Sequence, residues 1–276
     1  VKARPFFLGS GAGQRWACFH EAQSAAPHAL VLYLHPLAEE MNKARRMAAL
    51  QSRALAEAGC AVLQLDLHGC GDSAGDFADA SWRGWTGDAL AGARWLRGQH
   101  PGAPLWLWGL RTGGLLAAAA AREIDEPCNL LLWQPPPSGE LALRQFLRLR
   151  LAAALGEGSS AELMKALRRQ LAEGQAVEVA GYGLSPALAD GLQQATLAPP
   201  PRAARLAWLE TGAQAAPEAA LAPAALELLS RWRQAGWQVQ ARRVPGPAFW
   251  QTAEVETAPA LLQATLDVFS REGVSA

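Results

Sequence analysis

The chain has 276 residues, half of them hydrophobic and 18% charged, with 25 basic against 25 acidic side chains. That length buries one large core with room for an insertion, and the balanced charge excludes a global field for nucleic acid or an acidic membrane, so partners are argued locally. Cys18, Cys60, Cys70 and Cys128 form no C-x-x-C pair, which argues against a zinc site or a disulfide framework and for a reducing cytoplasm. VKARPFFLGS lacks the apolar stretch of a signal peptide, and no run reaches the roughly 18 to 20 apolar residues of a membrane span.

Along the chain, short apolar runs alternate with longer helical patterns, which predicts a largely parallel sheet covered on both faces. Pro5 to Leu8 and Arg15 to His20 read as a leading hairpin, and Leu30 to His35 as a strand buried on both faces. A helix over Asn42 to Ala58 follows, then a strand at Ala61 to Asp66, the turn HGCGDSAGD and a helix from Ala80 to Arg97. Leu105 to Trp108 enters another glycine-punctuated turn, Thr112 to Arg122 is helical, and Cys128 to Trp133 is a strand ended by QPPP. From Gly139 to Thr196 the pattern is helical, with no good strand. Strands resume at Ala204 to Glu210 and Trp237 to Val244, with helices at Glu218 to Ala235 and Val255 to Arg271. The proline-rich APPPRAA before Ala204 reads as a hinge.

The strand, turn and helix WLWGLRTGGLLAA, Trp106 to Ala118, has the outline of the G-x-S-x-G nucleophile elbow of α/β-hydrolases, with Arg111 in place of the serine. The predicted fold class is therefore α/β, an α/β-hydrolase fold with a mostly parallel sheet, helices on both faces and an inserted helical cap. The core is 1–137 with 204–276, and the cap is 138–203. A guanidinium at a helix N-terminus opposes the macrodipole and requires an anion nearby. Either a carboxylate from HPLAEEMNKARRM supplies it, Glu39 or Glu40, or an anionic ligand does, cradled by Arg111 and the helix start.

A serine hydrolase also needs a histidine and an orienting acid. No aspartate follows Ala204 to Glu210, where only Glu210 and Glu218 are available, and PGPAFWQTAEVE after the last strand has no histidine. No histidine follows His100. The turn DLHGCGDSAGD matches the D-x-x-G-x-G-x-S loop of the superfamily and brings His68, Cys70, Asp72 and Ser73 toward the same cleft. Cys70 or Ser73 with His35 or His68 as base is the alternative catalytic set, a thiolate beside Arg111 being expected to have a lowered pKa. Thr112 is expected to give its backbone N–H to an oxyanion or ligand and its side chain to the helix cap. The basic stripe Arg144, Arg148 and Arg150 reads as a solvated helix face, with extension of an anion site as its alternative. No metal site and no cofactor are expected.

Taken together, HPLAEEMNKARRM, DLHGCGDSAGDF, WGLRTGG, LLLWQPPPSGE with QFLRLRLAA, AGYGLSPAL and PGPAFWQ resemble the second type of exosortase A system-associated hydrolase. This branch of the α/β-hydrolase superfamily occurs in bacteria with PEP-CTERM protein sorting. The resemblance implies a capped hydrolase core, an arginine kept in the elbow, and a setting of exopolysaccharide production and protein sorting. From the residues themselves the expected partner is a small molecule, anionic or acyl-bearing, recognised by Arg111, the Thr112 N–H and the loop from His35 through Glu39 to Glu40, and the implied setting adds a sorting-system protein as a further partner. Fold alone does not license chemistry, so two other readings stand beside a remodelled binding pocket: a divergent esterase or thioesterase, and a non-catalytic adaptor.

Overall fold

The computed structural model describes residues 2–153 and 159–270. The first strands, β1 (Ala3–Leu8) and β2 (Arg15–His20), form the expected antiparallel hairpin. Then come β3 (Ala29–Leu34), α1 (Glu39–Glu57), β4 (Cys60–Leu65), α2 (Trp82–Gln99), β5 (Leu105–Leu110), α3 (Thr112–Glu123) and β6 (Asn129–Trp133). The segment to the next sheet strand holds α4 (Gly139–Ala153), α5 (Ser160–Ala172), the short strands β7 (Val177–Val179) and β8 (Tyr182–Leu184), and α6 (Pro186–Gln194). The chain closes with β9 (Arg205–Gly212), β10 (Ala216–Pro217), α7 (Pro223–Gln234), β11 (Gln238–Pro245) and α8 (Pro259–Phe269).

Nine strands form one sheet in the order β1-β2-β4-β3-β5-β6-β9-β11-β10, in which β4, β3, β5, β6, β9 and β11 run parallel. Every residue of β3 and β5 is buried. This explains why they read as unbroken apolar runs, since helices cover both faces of a parallel sheet. One face packs on α1 and α8, where Trp108 and Trp133 meet edge to face with ring centroids 4.7 Å apart. The other face packs on α2 and α3, and its apolar cluster continues into α4 and α6.

Element boundaries follow local chemistry. Ser81 and Ser185 accept backbone N–H groups to start α2 and α6, and Pro223 and Pro259 stand in the first turns of α7 and α8. The last two helices are therefore shorter than the apolar pattern suggested, and Arg271, the expected end of α8, lies outside the described residues, as do positions 154–158 of the expected cap. The segment expected to be purely helical also carries the β7-β8 hairpin. Its two-residue turn, Ala180-Gly181, has positive φ at both positions, 51° and 83°. That twist suits a tight hairpin but hides in sequence when alanine takes the first place.

Candidate functional site

The carboxyl ends of the parallel strands form one rim, the usual position for a site in an open α/β sheet. At its centre β5 turns into α3 through Arg111, whose backbone sits at φ 54° and ψ −121°. Such a conformation costs about 1 to 3 kcal/mol for a non-glycine residue and persists only where the surroundings enforce it. They do so here. The Arg111 N–H donates to the Trp133 carbonyl at 2.9 Å, and its carbonyl accepts from the Gly114 N–H at 2.9 Å. A Cβ on Gly109 would overlap the Gly113 backbone, and one on Gly113 would overlap the Leu34 carbonyl oxygen, so the chain can close this turn only with glycine at both places. Ala38, at the start of α1, adopts nearly the same backbone, φ 51° and ψ −126°. Two helix N-termini thus border one cavity.

That cavity is about 420 Å³ and is lined by Leu37, Glu39, Glu40, Arg111, Thr112, Ala142, Gln145, Phe146, Leu149 and Gln251. The Arg111 side chain is only 14% exposed. Its Nε–H faces Glu40 Oε1 at 3.5 Å, Nη2 donates to Gln145 Oε1 at 3.1 Å, and its guanidinium lies 5.7 Å from the Trp250 ring centroid. A guanidinium has five N–H donors, and Nη1 has no hydrogen-bond partner among the described residues. Burial raises the Glu40 carboxyl above its usual range, with Arg111 and Gln251 partly offsetting that rise. The pair is therefore a loose one, with a long single contact and an anion held at a desolvation cost. Glu39 lines the same cavity but points its charge to Lys43, 4.0 Å away. Thr112 is buried at the first turn of α3.

The other sequence-derived candidates lie apart from this cluster. His35 is buried, accepts the Leu67 N–H at Nε2 (3.2 Å), and so carries its proton on Nδ1, which donates to the Pro36 carbonyl at 2.8 Å. Burial lowers its pKa. It lines a separate cavity of about 230 Å³ with Tyr33, Arg45 and Asp66. Ser73 Oγ donates to the Asp66 carbonyl at 2.6 Å and accepts the Trp16 N–H at 2.9 Å. The His68 N–H donates to Asp88 at 2.8 Å and its carbonyl accepts the Trp85 indole N–H at 3.0 Å. Burial, with Asp66 and Asp88 adding to it, pushes the Cys70 thiol up to about 12. This is the reverse of the lowering expected beside a guanidinium, because Cys70 is buried and faces Asp66 and the α2 residue Asp88 rather than Arg111. Glu210, at the end of β9, accepts from Trp208 Nε1 at 3.0 Å and from Arg243 at 3.3 Å.

Gln145, Phe146, Leu149, Trp250 and Gln251 were not singled out from the sequence. Trp250 and Gln251 follow β11, the position from which this fold would bring its histidine, and that positional cue was available. Nothing local in QFLRL announces that Gln145 reaches Arg111. Among the described residues no group of three or more His, Cys, Asp or Glu side chains is placed to hold a metal, and no helix is long and apolar enough to cross a membrane.

Comparison with known proteins agrees with this architecture. Residues 25–157 match the family profile described as serine aminopeptidase, S33. Human protein ABHD12B is 28% identical over 135 residues, 48% of this chain and 36% of that protein. The mouse lysophosphatidylserine lipase ABHD12 is 31% identical over 129 residues, 46% of this chain and 30% of that one. The matched stretch is thus about a third of the length of these curated relatives. Est1E from Butyrivibrio proteoclasticus, solved with ferulic acid bound, aligns over 98% of this chain and 100% of its own with a TM-score of 0.71 and 16% identity. XC6422 from Xanthomonas campestris, described as a serine hydrolase without lid, aligns over 98% and 96% with a TM-score of 0.58 and 19% identity. The strand order, the strained turn after β5 and the likeness to these solved structures show an α/β-hydrolase fold, with arginine at the tip of its elbow.

Proposed function

We propose that the chain is a binding protein built on the hydrolase fold, and that its cavity takes a small amphiphile with an anionic head and an acyl chain. The observation that carries this reading is the Arg111 guanidinium, strained into place, mostly buried, and only partly used by Glu40 and Gln145. In this reading the segment 138–203 is a cap, and its α4 supplies Ala142, Phe146 and Leu149 as the apolar wall. The anionic head meets Nη1 and the Thr112 N–H at the positive end of α3, while the acyl chain lies along α4 and Leu37. One relative's name supports the class, since a lysophosphatidylserine joins one acyl chain to an anionic headgroup.

Serine-type hydrolysis plays no part in this proposal. Arg111 has no hydroxyl with which to attack a carbonyl, and Trp250 stands beside it where a histidine would be needed. The alternative set, Cys70 or Ser73 with His35 or His68, is weakened by the thiol's raised pKa and by the hydrogen bonds that occupy Ser73 and His35. The resemblance to the exosortase-associated branch supports a cytoplasmic role in exopolysaccharide production and protein sorting, with a protein of that machinery as a further partner.

The test is thermal denaturation with octanoyl lysophosphatidylserine, and with a phosphorylated sugar as a chain-free anion. The lipid raises the melting temperature of the parent protein, and Arg111→Ala abolishes that rise. Charge-assisted hydrogen bonds contribute about 1.5 to 3 kcal/mol, roughly a 10- to 150-fold loss of affinity. No rise with either probe would remove the proposal.

A further inference from the structure

The helix that walls the cavity also faces outward, and its two sides differ. Ala142, Leu143, Phe146 and Leu147 are buried, whereas Glu140, Arg144, Gln145, Arg148 and Leu149 are exposed, Leu149 by 39%. At roughly 100° per residue, the exposed positions form one continuous arc, which runs from the cavity's own lip at Gln145 and Leu149 to the row of Arg144 and Arg148. None of Arg144, Arg148 and Arg150 has an ion pair among the described residues. The neighbouring α5 adds Lys165, Arg168 and Arg169, so the two packed helices carry six basic against two acidic side chains in a chain whose total charge is zero. Arg169 is paired with Glu173 just past α5 and Glu140 stands one turn before Arg144, so the excess of positive charge near the exposed leucine comes from Arg144 and Arg148, with Lys165 on the neighbouring helix.

From this arrangement we propose that the outer face of α4 docks on an anionic lipid bilayer and sets the mouth of the Arg111 cavity against it. The charge complementarity selects the partner, and the exposed Leu149 suits an interface in which apolar side chains enter the headgroup region while arginines hold phosphates. The choice of a lipid source rests on the pocket reading above. An amphiphile with one chain resides in membranes, and a protein that takes it up gains from presenting its cavity where the ligand is concentrated. Leu149 belongs to both surfaces, being an exposed side chain and a cavity wall.

The experiment is co-sedimentation of the full chain with sucrose-loaded vesicles of three parts phosphatidylcholine to one part phosphatidylglycerol, against pure phosphatidylcholine. The expected result is binding to the anionic vesicles alone, weakened as salt shortens the Debye length to about 3 Å at 1 M. Arg144→Gln with Arg148→Gln lowers partitioning about 25-fold, near fivefold for each charge, with an unchanged melting temperature. Arg46→Gln with Arg94→Gln, which removes two exposed arginines from other helices, leaves it within about twofold of the parent. Equal loss in both double variants, equal binding to neutral vesicles, no binding, or tighter binding to poly-glutamate than to vesicles would each overturn the proposal. The two readings fail separately. Loss of vesicle binding with the octanoyl lipid's thermal shift retained sinks only the docking surface, and the reverse sinks only the pocket.

Discussion

Two turns at the carboxyl ends of the sheet carry polar side chains of similar promise, and the structure uses them in opposite ways. In the turn after β4, Ser73, Asp66 and the His68 backbone close on one another and on Trp16, Arg45, Asp88 and Trp85. In the turn after β5, the backbone is just as tightly held, but the Arg111 side chain leaves it for a cavity and keeps donors in hand. A buried polar group whose hydrogen bonds are made to its own loop and to the elements packed around it is part of the architecture. A group held in strain while its donors face open volume is available to a ligand.

The sharpest way to break this comparison is to relax the second turn. Gly113→Ala forces a Cβ into the Leu34 carbonyl and should cost more than about 4 kcal/mol, enough to leave little folded protein. Gly98→Ala, at a helical site with nothing within reach of the new methyl, should be neutral or stabilising by up to about 1 kcal/mol. Denaturant melts measure both.

Next in size, Ser73→Ala removes an acceptor from the Trp16 N–H and a donor from the Asp66 carbonyl, for a loss of about 1 to 3 kcal/mol in the same melts. The thermal shift produced by the acyl lipid should be untouched. A lost shift with stability intact would instead place Ser73 in the ligand site.

The smallest effect concerns Glu40, which competes with any anionic ligand for Arg111. Because its carboxyl is held above the usual 4.5 mainly by burial, lowering the pH through that raised range protonates it and frees the guanidinium. A phosphate-bearing ligand that keeps its charge should bind more tightly as the pH falls there. Glu40→Gln should bind about three- to tenfold more tightly at neutral pH, for a competing interaction of about 1 kcal/mol, with the pH dependence flattened. The sign for stability is the same: a folded-state pKa above the unfolded one favours folding below the unfolded value, and that contribution is lost as pH rises through the folded one. Calorimetric titration at several pH values reads the binding effect.

Much of the fold could be read in advance because its causes are local. Unbroken apolar runs such as Leu30 to Leu34 and Leu105 to Trp108 mark strands buried on two faces, and glycines on both sides of Leu110-Arg111-Thr112 mark a turn too tight for side chains. The demand for an anion beside Arg111 also follows from sequence, since a cation at a helix start is electrostatically misplaced. Where local signals conflict, the reading slipped: prolines shortened α7 and α8, and an alanine at positive φ concealed the β7-β8 hairpin.

Sequence by itself determined the alternating architecture, the elbow and the identity of the residue at its tip, because period, propensity and steric exclusion act between neighbours in the chain. Only the tertiary structure decided that Glu40 rather than Glu39 faces Arg111, that Gln145 and Trp250 join it, and that Cys70 is sealed among carboxylates with a thiol harder to ionise. The contacts to Arg111 join residues 34 to 139 positions apart. Burial and pairing at that range depend on how whole elements pack, which no local pattern encodes.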